Sequence, residues 1–248
     1  MRVTVIGCSG SFPGPDSPAS CYLIEEDGYS LLLDFGNGAL GTLQRHHDLY
    51  DIDAIAISHL HADHCMDLCG YYVARKYCPH GGKPKIPVFG PEHAATRMAE
   101  AYDLDLDPGM TDTFDFTPLT RKFEAGPFAV VCEPVNHVIE SYGFRITSAR
   151  GGSLAYSGDT GLTDTLVDLA EGVDLFLCEA SFLEGDNPPD LHLTAKEAAD
   201  YAERAQAGRL VLTHLVPWND EEKSLVEAKT STYGGPIDLA RSGTVYEL

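Results

Sequence analysis

A cluster of side chains that can bind metal constrains this sequence more than any other feature. The stretch Ser58-His59-Leu60-His61-Ala62-Asp63-His64 follows directly on Ala54-Ile55-Ala56-Ile57, an apolar run that is too short for a helix and typical of a buried strand. The side chains at this expected strand end are His59, His61, Asp63 and His64. Imidazole and carboxylate groups are usual ligands of hydrolytic zinc, and two pairs at this spacing suit two metal ions better than one.

Composition limits the partners and the compartment. The 248 residues carry 38 Asp plus Glu against 17 Lys plus Arg, a formal net charge of −21. Such a surface repels long polyanions, whereas metal ions in the site would still attract a small anion. No run approaches the roughly 20 apolar residues of a membrane span, and the seven cysteines include no Cys-x-x-Cys pair. We therefore expect a cytoplasmic protein with no membrane contact, folded as one domain over residues 1–248.

Further polar residues stand at the ends of other predicted strands. One of them, Asp34, closes the buried run Leu31-Leu32-Leu33, where a carboxylate needs a partner. The full set is Asp34, His137, Asp159, Glu179 and His214. Sites of open α/β sheets form outside the carboxyl ends of the strands, so these side chains and the histidine cluster are expected to converge.

Helices are predicted between the strands, as in an α/β protein. Three of them are a helix from Gly38 to Tyr50, one from Met66 to Tyr77, and one that opens at His192 and runs to about Ala207. Thr194 and Glu197 form a capping-box pattern at the start of the last helix. His80 and His93 have no partner in the sequence and are predicted to lie at the surface.

The order and spacing of these residues resemble the motifs of the metallo-β-lactamase superfamily over nearly the whole chain. This resemblance implies an α/β fold, a four-layer αβ/βα sandwich of two central sheets flanked by helices. It also implies that Asp34 orients the histidine loop through hydrogen bonds. By the same resemblance one metal ion is held by His59, His61 and His137, a second by Asp63, His64 and His214, and Asp159 bridges both. Zinc is expected, with manganese or iron admissible for nitrogen and oxygen ligands.

Within this superfamily the chain most resembles the ribonuclease Z and phosphodiesterase branch. The resemblance is carried by Val3-Thr4-Val5-Ile6-Gly7, Ser157-Gly158-Asp159-Thr160, Cys178-Glu179-Ala180-Ser181-Phe182 and His192-Leu193-Thr194. It implies that His192, paired with Glu179, protonates the leaving oxygen while a metal-bridging hydroxide positioned by Asp63 attacks phosphorus. Asp159 stands where the main zinc β-lactamases carry Cys, which argues against antibiotic hydrolysis.

One departure from this branch bears on the substrate. Its tRNA-processing members insert a long basic arm between the third and fourth motifs, whereas Asp159 here follows His137 after only 22 positions. Together with the acidic charge, this disfavours tRNA and favours small anionic phosphodiesters, most of all cyclic nucleotides, which related armless members hydrolyse. Two alternatives stay open: a ribonuclease Z-like RNA endonuclease, and a catalytically silent metal-binding regulatory protein. The second is weakened because no ligand position is lost. The sequence is compatible with a homodimer.

Overall fold

The computed structural model of the protein describes residues 1–79, 81, 83–186 and 188–248. Within these residues the backbone forms fourteen strands and seven α-helices. The strands are β1 (Arg2–Gly7), β2 (Cys21–Glu26), β3 (Tyr29–Leu33), β4 (Ala54–Ala56), β5 (Ile86–Gly90), β6 (Phe114–Pro118), β7 (Lys122–Ala125), β8 (Phe128–Pro134), β9 (Tyr142–Ser148), β10 (Ser153–Tyr156), β11 (Leu175–Glu179), β12 (Leu210–Thr213), β13 (Ile237–Leu239) and β14 (Val245–Glu247). The helices are α1 (Ala39–Leu43), α2 (Ala62–Cys65), α3 (Asp67–Lys76), α4 (Ala94–Ala101), α5 (Thr165–Ala170), α6 (Ala195–Ala205) and α7 (Glu221–Ala228).

The strands are divided between two seven-stranded mixed sheets of matching design. The first sheet has the order β14-β1-β2-β3-β4-β5-β6 and the second β13-β12-β11-β10-β9-β8-β7. In the first, the pairs from β14 to β3 are antiparallel and those from β3 to β6 are parallel. In the second, the pairs from β7 to β10 are antiparallel and those from β10 to β13 are parallel. Each sheet therefore contains parallel strands whose carboxyl ends share one edge.

Both faces of each sheet are buried, and this produces four layers. Side chains alternate across a strand, so Leu31 and Leu33 of β3 pack between the two sheets while Leu32 packs beneath the helices of the first sheet. In β11, Leu177 packs between the sheets, whereas Phe176 joins the cluster that contains the alanines of α6. Burial on both faces explains why these strands are continuous apolar runs in the sequence. The predicted four-layer αβ/βα sandwich is confirmed.

The capping box predicted for α6 is present. The hydroxyl of Thr194 accepts a hydrogen bond from the backbone N–H of Glu197 at 3.2 Å, and the Glu197 carboxylate accepts one from the N–H of Thr194 at 2.8 Å. These bonds satisfy two N–H groups at the start of the helix. Because His192 lies two residues before Thr194, the cap also fixes the path of the backbone just after that histidine.

The predicted helix from Gly38 to Tyr50 is wrong over its second half, because α1 ends at Leu43. The Asp48 carboxylate accepts a hydrogen bond from the N–H of Tyr50 at 2.8 Å and begins a separate 3-10 turn there. An Asp side chain that bonds to a nearby backbone N–H competes with helix continuation. Three strands that the sequence did not predict, β6, β7 and β13, lie at sheet edges and are half exposed, so they lack an apolar run.

Two histidines, His80 and His93, are predicted from the sequence to lie at the surface. His93 is exposed, as predicted. His80, for which the same was predicted, lies outside the described residues. Among the described helices, none has the length and apolar character needed to cross a membrane.

Candidate metal centre

Strands of both sheets that run in the same direction bring the polar residues at their ends to one edge of the molecule. From the first sheet, β4 is followed by His59 and His61, and α2 carries Asp63 and His64. The second sheet supplies His137 after β8, Asp159 after β10, Glu179 at the end of β11 and His214 after β12. The two sheets touch at this edge, where the N–H of Tyr142 donates to the carbonyl of Ser58 at 3.1 Å. The predicted convergence of these side chains is therefore observed.

A first group contains three histidines and one aspartate. The ligand atoms of His59, His61, His137 and Asp159 all lie within 4.8 Å of one another. Nδ1 of His61 is 3.1 Å from Nε2 of His59 and 3.2 Å from Nε2 of His137. Oδ2 of Asp159 is 3.6 Å from Nε2 of His59. Four atoms with metal-ligand chemistry thus surround one point.

A second group shares Asp159 with the first. Its members Asp63, His64, Asp159 and His214 are all buried, and their ligand atoms again lie within 4.8 Å of one another. Nε2 of His214 is 3.2 Å from Nε2 of His64 and 3.1 Å from Oδ2 of Asp63. Asp159 approaches with Oδ1, 3.2 Å from Nε2 of His64, and with Oδ2, 3.4 Å from Nε2 of His214. Asp159 is the residue that belongs to both groups.

Hydrogen bonds behind the rings set the tautomers of two of these histidines. Nδ1 of His137 lies 3.0 Å from the carbonyl oxygen of Leu191, which can only accept, so Nδ1 carries the proton. Nδ1 of His64 likewise donates to Oδ2 of Asp34 at 2.7 Å. In both rings the lone pair is left on Nε2, the atom that faces the group.

Asp34 connects the histidine loop to both sheets. It is fully buried and accepts hydrogen bonds from the N–H and the hydroxyl of Ser58, at 2.7 and 2.8 Å, as well as from His64. The hydroxyl of Tyr156 is a fourth donor, at 2.8 Å. The sequence predicts a role for Asp34 but none for Ser58 or Tyr156. The available signal for Tyr156 was a tyrosine at the end of a buried strand, whose hydroxyl must find a partner.

Beside the two groups, Glu179 holds His192. Oε1 of Glu179 lies 2.9 Å from Nδ1 of His192, and the fully buried carboxylate also accepts from the N–H groups of Thr160 at 2.7 Å and Leu193 at 3.3 Å. Burial lowers the pKa of His192, but the charge of Glu179 and its hydrogen bond outweigh burial and raise it to about 9. The pair is therefore arranged to keep a proton on this imidazole at neutral pH.

The pair adjoins both groups. The ring centroid of His192 is 5.4 Å from that of His137 and 5.3 Å from that of His214. The hydroxyl of Ser181 links the pair to the second group, since it lies 3.1 Å from Oε2 of Glu179 and 2.8 Å from Nδ1 of His214. The sequence does not predict this linking role of Ser181. The feature that could have indicated it is its position two residues after Glu179, which ends a strand.

The donor set fits divalent cations. Because Nδ1 of His64 donates to Asp34, Nε2 is the nitrogen that can bind a cation. It lies 3.2 Å from Nε2 of His214, a contact that a cation held by both rings would satisfy. Oδ1 of Asp159 is buried and accepts no hydrogen bond from the described residues, and a buried carboxylate requires a compensating charge. Burial lowers the pKa of all three histidines in the first group, which keeps them neutral as ligation requires.

The chain has sequence relatives over most or all of its length. A family model described as a β-lactamase superfamily domain matches residues 29–215. The uncharacterized protein Rv1339 of Mycobacterium tuberculosis is 44% identical over 259 residues, covering 100% of this chain and 92% of that protein. The probable metallo-hydrolase YhfI of Bacillus subtilis is 31% identical over the full length of both chains. A ribonuclease Z of Metallosphaera sedula is 25% identical, with 92% of this chain and 93% of that protein covered.

Solved structures match nearly the whole chain. The crystal structure of the metallo-β-lactamase fold protein YhfI gives a TM-score of 0.87 at 29% identity, over 99% of both chains. A diphosphatase from the PhnP family gives a TM-score of 0.78 at 21% identity, over 100% of this chain and 97% of that one, which is a likeness of fold. Both matches span the two sheets and the edge at which the polar residues meet.

Proposed function

Since this chain belongs to the β-lactamase superfamily, as a metal-dependent hydrolase of the ribonuclease Z branch, we propose that it hydrolyses small phosphodiesters. The observation that carries the proposal is the placement of His192 and Glu179 against two metal-competent groups that share Asp159. An alkoxide leaves phosphorus poorly unless it is protonated, so hydrolysis of a phosphodiester gains from a proton donor beside the metal site.

The proposed ligand assignment follows the two groups. One divalent ion would be held by His59, His61 and His137, the other by Asp63, His64 and His214, and Asp159 would serve as a ligand in both groups. When bound, such a pair of ions supplies an activated water and neutralises the charge that develops on the phosphoryl oxygens. Zinc is the expected metal, and manganese or iron also suits these nitrogen and oxygen donors.

The remaining steps belong to the chain's own side chains. Asp63 belongs to one group only, whereas Asp159 is shared by both. We therefore assign to Asp63 the orientation of the attacking water. Asp34 takes no part in bond making; it keeps the ring of His64 in place.

His192 protonates the leaving oxygen. Its Nδ1 is engaged by Glu179, so the transferred proton is the one on Nε2. Glu179 raises the pKa of His192, which favours the imidazolium form that donates this proton. Glu179 in turn is held by two backbone N–H groups, which keeps the donor in a fixed orientation.

Small substrates are favoured by charge and by topology. The net charge of −21 opposes approach of a long polyanion. Between His137 and Asp159 the described chain holds only the hairpin of β9 and β10, with no additional arm. Among small phosphodiesters we place cyclic nucleotides first. The ribonuclease Z relatives support the competing candidate, an RNA endonuclease, and a catalytically silent metal-binding protein is the candidate of another class.

One substrate panel separates these candidates. Zinc-loaded protein is assayed on cyclic AMP, bis(p-nitrophenyl) phosphate and a precursor tRNA, each with and without EDTA. The expected result is chelator-sensitive hydrolysis of both small substrates and negligible cleavage of the precursor at physiological salt. Specific cleavage of the precursor at its 3′ end with no activity on cyclic AMP would establish the endonuclease instead. Absence of turnover on all three substrates would leave the silent protein.

A further inference from the structure

Two exposed aromatic side chains lie together beside the candidate metal centre. Phe12 is 41% exposed and Trp218 is 67% exposed, and their ring centroids are 5.3 Å apart at an interplanar angle of 36°. Neither belongs to a buried cluster of the fold. Ligand sites commonly combine aromatic side chains with a few polar groups, as this arrangement does.

Backbone contacts place the segment that carries Phe12 next to His214, and the ring of Trp218 adjoins that of Phe12. The amide nitrogen of Ser11, the residue before Phe12, lies 3.4 Å from Nε2 of His214. A Cβ atom at Gly10 would lie 2.3 Å from the carbonyl oxygen of His214, so this close approach of the two backbones requires glycine. Trp218 follows His214 by four residues. The aromatic pair therefore stands at the rim of the second group.

Hydrogen bonds hold in place the two segments that carry these rings. The hydroxyl of Ser9 donates to the carbonyl of Phe12 at 2.7 Å. Asn219, adjacent to Trp218, donates from Nδ2 to the carbonyl of Ser181 at 2.5 Å, and Ser181 contacts the metal-competent group. A surface that is already ordered loses little conformational entropy when a ligand binds to it.

We propose that Phe12 and Trp218 form a stacking surface for the heteroaromatic base of a nucleotide whose phosphate lies in the metal centre. This inference rests on the proposed function, which already places cyclic nucleotides first, and adds to it the surface that would bind the base. Every base has a π-face, so aromatic side chains bind bases without reading their identity. A base is also uncharged, so its binding is compatible with the strongly acidic chain.

A second copy of the chain is the alternative binding partner for this aromatic pair. Two aromatic side chains bury at most about 500 Å², whereas a stable interface takes about 800 Å² from each partner. The pair alone is therefore too small for a dimer interface and matches a single planar ring system.

The experiment uses Trp218 as its own reporter, because it is the only tryptophan of the chain. Zinc-loaded protein is titrated with adenosine 5′-monophosphate and, in parallel, with ribose 5-phosphate, which has the phosphate and sugar without the base. Saturable quenching of the tryptophan fluorescence is expected with the nucleotide and not with the sugar phosphate. By calorimetry, Phe12→Ala should weaken nucleotide binding about tenfold, the loss expected for one base–aromatic stack, and leave ribose 5-phosphate binding unchanged.

The matched control is Tyr77→Ala. Tyr77 is an aromatic residue of similar exposure, 70%, just beyond α3, the helix that leads away from the site. This variant should bind both ligands as the wild type does.

Three results would overturn the inference. They are equal affinities of the wild type for the two ligands, nucleotide binding that neither Phe12→Ala nor Trp218→Ala changes, and loss of a dimer in Trp218→Ala with nucleotide binding intact. Failure of the proposed function is distinguishable from these. Nucleotide-specific quenching in a protein without phosphodiesterase activity would keep the base site and refute the activity, whereas turnover without base-dependent binding would do the reverse.

Discussion

The hydroxyl of Tyr156 donates a hydrogen bond of 2.8 Å to Oδ2 of Asp34, across the interface between the two sheets. Tyr156 ends β10 of the second sheet, and Asp34 follows β3 of the first. The same carboxylate oxygen accepts from Nδ1 of His64 at 2.7 Å. The orientation of a proposed metal ligand on one side of the molecule therefore depends on a phenol from the other side.

Tyr156→Phe should weaken zinc binding about tenfold, because partners that orient metal-binding histidines typically matter by 10- to 100-fold. Competition with a chromogenic chelator measures this. Tyr22→Phe is the control, since Tyr22 is also fully buried, its ring centroid is 5.2 Å from that of Tyr156, and its hydroxyl bonds to Thr213 at 2.5 Å. Equal zinc affinity of both variants and the wild type would show that Asp34 is held without Tyr156.

Asp159→Ala should reduce the bound metal from about two ions per chain to one or fewer and should lower activity more than alanine at His61 or His137. The reason is that Asp159 alone belongs to both groups. Metal analysis of the dialysed variants, paired with turnover, gives the comparison, and the exposed His93→Ala serves as control. Retention of two ions by Asp159→Ala, or equal mild losses for all the ligand variants, would contradict the shared-ligand assignment.

His192→Ala should leave the metal content unchanged and lower turnover of cyclic AMP by about 10²- to 10⁴-fold, the usual contribution of a general acid. The loss should be much smaller with bis(p-nitrophenyl) phosphate, because p-nitrophenolate leaves without a proton. The ratio of the two losses separates proton transfer from a general disturbance of the site. An identical defect on both substrates would remove His192 from the role of acid.

The pH profile should report the same group. Glu179 raises the pKa of His192 to about 9, so the protonated, active form is present below that pH and is lost as the pH rises through it. Turnover of cyclic AMP should therefore fall above about pH 9. In Glu179→Gln the charge that sustains the imidazolium is gone, and the falling limb should move toward the ordinary histidine value of about 6.5. A limb that stays in place in Glu179→Gln would mean that another group titrates.

Much of the candidate site could be predicted because it depends on topology alone. Residues such as His137, Asp159 and His214 each follow an apolar strand, and strands that run in the same direction bring such positions to one edge whatever their order in the sheet. The capping box at Thr194 is a local pattern of four residues and can equally be predicted from the sequence.

The rest depends on distances that a sequence does not display. The contacts of Ser58 and Tyr156 with Asp34 require the register and spacing of two separate sheets. The early end of α1 reflects a competition between helix hydrogen bonds and the Asp48 side chain, whose balance is a matter of about 1 kcal/mol. Edge strands such as β13 bury too little to leave a periodic pattern.

Because each metal-competent group draws on both sheets, a bound cation would also act as a cross-link between the halves of the molecule. In the first group, His59 and His61 come from one half and His137 from the other. Binding free energy at such a junction adds directly to resistance against thermal separation of the halves. Removal of the metal by a chelator would then weaken the contact between Tyr142 and Ser58. Amide hydrogen exchange would become faster there before it becomes faster in strands far from the site. Loss of the metal would therefore lower the local stability of this edge of the molecule as well as abolish turnover.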